Sequence, residues 1–428
     1  MHIESGQRHI RVAGLVVCNL LLAVSASLSL KAVAAALPLV RSRAQGAPVL
    51  KFGVLNDMSG PYMNISGPTS VVCANQALVD FGVSGKGLNV EVINADHQNK
   101  PDLAVSIARQ WYDRDGVDVI LDVPTSSVAL AVSGVAKEKN KIFLCSGAAT
   151  SDLTGKSCSP NMVHWTYDTY MLAKSTGGAM VKAGGDTWYF LTADYAFGKQ
   201  LQADTTTFIK AAGGKVLGAS AYPFPGTTDF SSFLVQAQSS KAKVLGLANA
   251  GADTVNSIKQ AREFGLGETM KTAALLMFLN DVHALGLATA QGLTLTESFY
   301  WDLNDRTRAF TNRVRPKTPN NLPNMSQAGV YSSALHYLKT AVAMGPAEAK
   351  KDGAATVARM KKIPVEDDCF GKTTIREDGR NLTPAYLFEV KKPSESKGAW
   401  DYYKLISSTP GPEAYRPMSE DNCPFIKA

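Results

Sequence analysis

Apolar and polar positions along the chain switch repeatedly between a two-residue and a 3.6-residue period. VLKFGVLN (49–56) is an apolar strand, and SVVCANQALVDFG (70–82) has helical spacing and stops at a glycine. LNVEVINAD (88–96) alternates as a strand does, and PDLAVSIARQWYDRDG (101–116) opens on Pro-Asp, a helix start. VDVILDV, SSVALAVSGVAKEKN and KIFLCSG continue the series as strand, helix and strand. After an irregular aromatic stretch, Cys158–Tyr170, the rhythm resumes. TWYFLTAD, KVLGASAYP, KVLGLANA and AALLMFL (273–279) read as strands separated by amphipathic helices. Further on, QAGVYSSALHYLKTAVAMG and GAATVARMKKI read as helices, and YLFEVKK and WDYYKLI as strands. A βα alternation of this kind predicts an α/β fold, and its length predicts two lobes, each a helix-covered parallel sheet.

Open α/β sheets bind ligands beyond the carboxyl ends of their strands. The loops predicted there are NDMSGPYMNISGP, ADHQNKPD, PTSS, SGAATSDLTG, TADYAFG, NAGAD and the Met277–Asn280 region. In ILDVPTSSVALAV (120–132), a proline and three hydroxyl residues separate two apolar runs. They mark a strand end and a helix start, whose free N–H groups favour an anion. Ser126 or Ser127 either caps this helix or recognises an anionic ligand, and the stretch alone does not choose.

Charge narrows the partners. Arg8, Arg11, Lys31, Arg41 and Arg43 against Glu4 give residues 1–43 a net +4 of the formal +7, so the other 385 residues carry only +3. That excludes the basic excess of a nucleic-acid binder. Arg8 and Arg11 precede the apolar VAGLVVCNLLLAVSASLSL and then Ala34-Ala35-Ala36, which predicts a signal peptide over 1–36 and a periplasmic protein. The Ala44–Ala47 region is a second candidate cleavage site, and an uncleaved anchor helix is the alternative. Export permits disulfides. Cys145 can pair with Cys158 and Cys369 with Cys423, with Cys73 left over, although spacing alone does not fix this connectivity. Absence of CxxC, HExxH and His/Cys clusters predicts no metal, and nothing suggests a cofactor. No GxSxG elbow frames a serine, and no glycine pattern forms a phosphate loop. His97 reads as a solvated loop residue and His164, beside Trp165, as a packed hinge residue, so no enzyme is expected.

GVLNDMSGPY, then DxxxKPD, SS before a helix, SGAATxxLT and DYxFG occur in this order. Together they resemble the type I periplasmic solute-binding proteins of ABC transporters, in the leucine/isoleucine/valine-binding branch, from residue 49 to 428. The resemblance implies two doubly wound parallel-sheet lobes joined by three hinge strands. Lobe 1 would span 48–166 and 298–370, and lobe 2 would span 167–297 and 371–428. It also implies a monomer that captures a small solute and hands it to a membrane permease. In this family a serine and an SPAAT-like loop hold the ligand carboxylate, which maps to Ser126, Ala148 through its backbone, and Thr150, with Ser127 adjoining. At the ammonium end the sequence departs. The family's acidic position falls at Met277 or Phe278, its YG tyrosine at Phe197, and two cleft tyrosines near Ile65 and Ala250. A carboxylated solute with an apolar or aromatic body is therefore expected, such as a benzoate- or cinnamate-type acid, with a branched-chain or other amino acid as the alternative. SCSPNMVHWTYDTYMLA and WDYYK also resemble an aromatic-acid-binding subgroup, in which Tyr195 would contact the ring and Tyr167 and Tyr170 would contact it or pack the hinge. A ligand-sensing domain and an enzyme are the remaining alternatives.

Overall fold

The computed structural model describes residues 49–318 and 320–426. The expected signal segment 1–36 and both candidate cleavage sites lie outside them. The first sheet is parallel, in the order β2-β1-β3-β4-β5, and is built from Val49–Asn56 (β1), Asn89–Asp96 (β2), Val119–Asp122 (β3), Ile142–Cys145 (β4) and Met162–His164 (β5). Its register runs Phe52 to Val92 and Val119, Val119 to Ile142, and Phe143 to Met162. β3 and β4 are wholly buried, as continuous apolar runs in a covered parallel sheet should be. Helix Pro101–Asp113 turns Ala104, Ala108, Trp111 and Tyr112 inward, the i, i+4, i+7, i+8 stripe of an amphipathic helix. A side chain at Gly53 in β1 would meet the Trp111 ring at 2.4 Å, so the glycine is what lets that indole lie flat on the sheet.

The second sheet is also parallel, β7-β6-β8-β9, from Thr187–Ala193 (β6), Lys215–Tyr222 (β7), Val244–Ala248 (β8) and Lys271–Ala274 (β9). A third sheet, β10-β13-β14, pairs Thr294–Glu297 (β10), Ala385–Val390 (β13) and Tyr403–Thr409 (β14) antiparallel. A short hairpin joins Val365–Asp367 (β11) to Gly371–Thr373 (β12). Helix Met325–Met344, almost entirely buried, is started by Asn324, whose side chain accepts from Ser326 N and Gln327 N at 2.9 and 3.2 Å.

In both parallel sheets the strand order reverses once. In the first, β1 lies between β2 and β3; in the second, β6 lies between β7 and β8. Each reversal splays the loops that leave the carboxyl ends of the two flanking strands and opens a crevice there. Two expectations fail at this level. The run AALLMFL is a strand only as far as Ala274; the chain then turns, and helix Leu279–Leu285 begins. His97 is fully buried rather than solvated, with Asn99 N donating to Nδ1 at 3.0 Å, and burial pushes its pKa down to about 4.

Candidate functional site

The loops at the two reversals meet. Ala252 N, after β8, donates to Pro61 O, after β1, at 3.0 Å. Between them lies a small space of ≈ 10 Å³ lined by Tyr62, Ile65, Pro124, Gly147, Ala149, Tyr167, Tyr195, Phe197, Ala250 and Leu276. That is about room for one water. Five of the expected loops contribute, after β1 through Tyr62 and Ile65, after β3 through Pro124, after β4 through Gly147 and Ala149, after β6 through Tyr195 and Phe197, and after β8 through Ala250, whereas the ADHQNKPD loop after β2 and residues 277–280 do not.

The β3 exit is tightly held. Asp122 and Val123 have φ of 79° and 57°, strained values for residues with side chains. The buried Asp122 carboxylate accepts from Asn56 Nδ2 at 3.0 Å, and its carbonyl accepts from Ser146 N and Gly147 N. Burial raises its pKa to about 6. Thr125 sits at the helix N-cap, and its hydroxyl donates to Asn99 Oδ1. Ser126 does not cap its own helix. Its fully buried Oγ accepts from Thr150 N at 3.2 Å, tying the β3 loop to the β4 loop. Ser126 and Thr150 are thus joined, with Ala148 two residues before Thr150 in the same loop; none of the three lines the space, and Ser127 is half-buried on the next helical position. Thr150 Oγ1 also accepts from Asp152 N at 3.4 Å.

The opposite wall is aromatic. Tyr62 and Tyr195 share a hydroxyl contact of 2.6 Å, and Phe224 stacks on both, with ring centroids 5.2 Å from Tyr62 and 4.4 Å from Tyr195. Tyr167 donates its hydroxyl to Gly147 O and meets Phe278 edge-on. Burial raises the pKa of Tyr62, Tyr167 and Tyr195, so all three phenols stay protonated and can donate. Among the described residues no carboxylate, lysine, arginine or histidine lines the space. Asp253 lies behind it, accepts from Tyr222 OH at 2.8 Å, and is pushed up to about 6 by burial.

Several expected residues stand elsewhere. Met277 is buried in the core of the second sheet, because the strand ended at Ala274 and Leu276 took the lining position. Phe278 backs the cavity through Tyr167 and starts a helix, with its N–H donating to Asp281 Oδ2 at 3.0 Å. Tyr170 packs against Phe208 and beneath the Arg416 guanidinium, and it does not line the cavity; Asp168 starts the helix between Tyr167 and Tyr170 and sends them to different surroundings. The cysteine pairing also differs. Cys158 bonds Cys423, while Cys73, Cys145 and Cys369 are buried free thiols. Cys145 ends β4 among Val128, Val132 and Leu153, with no other cysteine in that cluster. The tail instead returns to the 151–159 loop, where Arg416 donates to Ser151 Oγ at 3.2 Å, and is held further by Arg376–Asp421 and Arg416–Asp204 ion pairs. Tyr62, Leu276 and Phe224 escaped sequence reasoning; Tyr62, three residues from the expected Ile65, was the most accessible of them.

The periplasmic binding protein family profile matches residues 49–399. A periplasmic binding protein of Burkholderia mallei is 49% identical, with a TM-score of 0.85 over 89% of this chain and 99% of its own. A branched-chain amino acid ABC transporter periplasmic ligand-binding protein of Burkholderia xenovorans LB400 is 38% identical, with a TM-score of 0.76 over 88% and 99%. A solute-binding protein of an R. palustris ABC transporter, in complex with benzoate, shares the fold at 20% identity, with a TM-score of 0.75 over 84% and 96%. These relatives are transport receptors rather than enzymes. The chain belongs to the periplasmic binding protein family, the solute receptors of ABC transporters, on its Leu/Ile/Val-binding-like branch.

Proposed function

We propose that this receptor captures a small aromatic carboxylate, of the benzoate or cinnamate type, in the inter-lobe cleft and delivers it to a membrane permease. The carrying observation is the lining: aromatic and aliphatic side chains, three protonated phenols and no acidic group. An α-ammonium enclosed there would lose its hydration without a counter-charge, at a cost of several kcal/mol. A flat ring loses little and gains stacking partners in Tyr62, Tyr195 and Phe224. Its carboxylate would face the loops that Ser126 and Thr150 join, where neutral hydroxyls and N–H groups can hold an anion. The benzoate-bound R. palustris protein has the same fold, which is compatible with such a ligand without identifying it. The space of ≈ 10 Å³ admits no ring, so the lobes must part for entry.

A thermal-shift series with benzoate, 4-hydroxybenzoate, cinnamate, leucine and phenylalanine tests this, because a ligand at 100 times its Kd stabilises by about 2.7 kcal/mol. The aromatic acids should raise Tm and leucine should not; the reverse would refute the proposal. One observation favours an amino acid instead: Asp253 lies close enough to Tyr62 and Tyr195 to act on both electrostatically. In that case leucine or phenylalanine binding would be lost in Asp253→Asn. Ser126→Ala should weaken the acid on the order of 10- to 100-fold, since a hydrogen bond to a charged group contributes roughly 1.5–3 kcal/mol.

A further inference from the structure

Beneath the β4 loop lies a buried polar chain that the cleft residues do not explain. Arg380 is fully buried on the strand-like segment that follows β12 and runs parallel to β5. His164 N donates to Gly379 O at 2.9 Å and Asn381 N to His164 O at 3.0 Å, which fixes the two side chains against each other. The Arg380 guanidinium bonds His164 Nδ1, donates to Thr166 O at 2.9 Å, lies 3.4 Å from Asp168 Oδ2 and rests on the Tyr415 ring. Its Nε has no partner among the described residues. On the other side of the imidazole, His164 Nε2 meets Ala148 O at 2.7 Å.

The tautomer follows from chemistry. A guanidinium has donors only, so Nδ1 must be the acceptor and Nε2–H the donor to the Ala148 carbonyl. Burial and the neighbouring cation both disfavour the imidazolium, so the ring stays neutral. In a trans peptide the N–H points opposite to the C=O. A carbonyl drawn towards His164 therefore turns the Ala149 N–H away from it. Ala149 lines the cleft, and among the described residues this N–H has no hydrogen-bond partner.

We propose that Arg380 and His164 are positioning residues for solute recognition: they orient and polarise the Ala148–Ala149 peptide so that the Ala149 N–H meets the solute carboxylate. The inference rests on the carboxylate reading above. The cation lends its field through the imidazole, and the anion is held with no charged side chain in the cleft. Asn381 and Gly379 set the register, since a side chain at Gly379 would meet Met162 O at 2.7 Å.

Calorimetric titration of the exported chain with benzoate and with benzamide tests the relay in wild type, His164→Gln and His164→Phe. Glutamine can accept from Arg380 and donate to Ala148, whereas phenylalanine keeps the bulk and neither bond. Wild type and His164→Gln should prefer benzoate by a similar ratio, and His164→Phe should lose about tenfold of that preference while melting cooperatively. A His164→Phe protein that keeps the ratio overturns the proposal. Histidine ¹⁵N spectra of the wild type, assigned against His164→Gln, give a second measure that needs no destabilised variant. A neutral Nε2–H tautomer supports the relay, and an Nδ1–H tautomer or an imidazolium near neutral pH overturns it. A wild type with no preference for benzoate over benzamide sinks the carboxylate reading instead, and the tautomer then decides whether the peptide is held as described.

Discussion

Breaking the Cys158–Cys423 bridge isolates what the tail contributes. The two residues are 265 apart in sequence, so the bond closes a very long loop of the unfolded chain. The chain-entropy relation gives about 5.6 kcal/mol for such a loop at 25 °C, a ceiling from which residual denatured structure subtracts. Native bridges more often contribute about 2–4 kcal/mol. The tail also has other holds, namely Arg376–Asp421 at 2.8 Å and Arg416–Asp204 at 3.1 Å, with partners that are largely buried. The expected loss in Cys158→Ser/Cys423→Ser is therefore about 2–4 kcal/mol. With an unfolding entropy near 2.1 cal/mol/K per residue, that is a drop of roughly 3–5 °C in Tm for a chain of this size. Urea unfolding of the oxidised wild type, the reduced wild type and the double variant is the assay. Reduced wild type and variant should coincide, and affinity for the solute should be unchanged, because neither cysteine lines the cleft. A loss under about 1 kcal/mol would refute the entropic argument, and a weakened affinity would refute the separation of tail from cleft.

Two further outcomes can be checked. Glu297 is fully buried, accepts from Leu279 N, Met325 N and Tyr403 OH, and is pushed by burial up to about 8, while burial raises Asp281 to about 7. A carboxyl with a raised folded pKa gives its full stability below the unfolded value and loses it as pH climbs through the folded one. Stability should therefore fall between pH 5 and 8.5, on the order of several kcal/mol, with Tm falling alongside it, and Glu297→Gln should flatten the decline; an identical slope in the variant would refute the assignment. Gly251 has φ of 60°, and a side chain there would meet Pro61 O at 2.5 Å. Gly251→Ala should hold the two loops apart and enlarge the radius of gyration in small-angle scattering, and an unchanged profile would count against direct contact as the limit on closure.

The alternation of strands and helices was legible because glycine and proline punctuate it and each period is distinct. From that alternation the reversal loops followed, with Ser126 or Ser127 at the start of the helix after β3; Ile65, Thr150, Tyr195, Phe197 and Ala250 came instead from the resemblance to the family. The misplaced Met277 shows the limit: a continuous apolar run reads alike whether it is a buried strand or a buried turn, and only packing ended β9 at Ala274. His97 was misjudged because its burial depends on Asn99 reaching Asp57 across the sequence, at 2.8 Å. That same carboxylate accepts from Gly60 N and Tyr62 N and curls the first loop so that Tyr62 enters the cleft. Disulfide connectivity was illegible for a similar reason, since it depends on where the tail returns, set by ion pairs far apart in the chain.

The ring stack of Tyr62, Phe224 and Tyr195 has an implication for how tightly the receptor can hold anything. It joins the two halves through protein alone, in a geometry with no space for a ring. Self-closure is thus a competitor of the solute, and it is tethered to the receptor, so raising the solute concentration does not dilute it. If the shut form outweighs the open one tenfold, apparent affinity falls by about the same factor, roughly 1.4 kcal/mol. Loosening self-closure while leaving the three rings in place should raise affinity without adding a single contact to the solute. The receptor's sensitivity is then tuned by how strongly it adheres to itself.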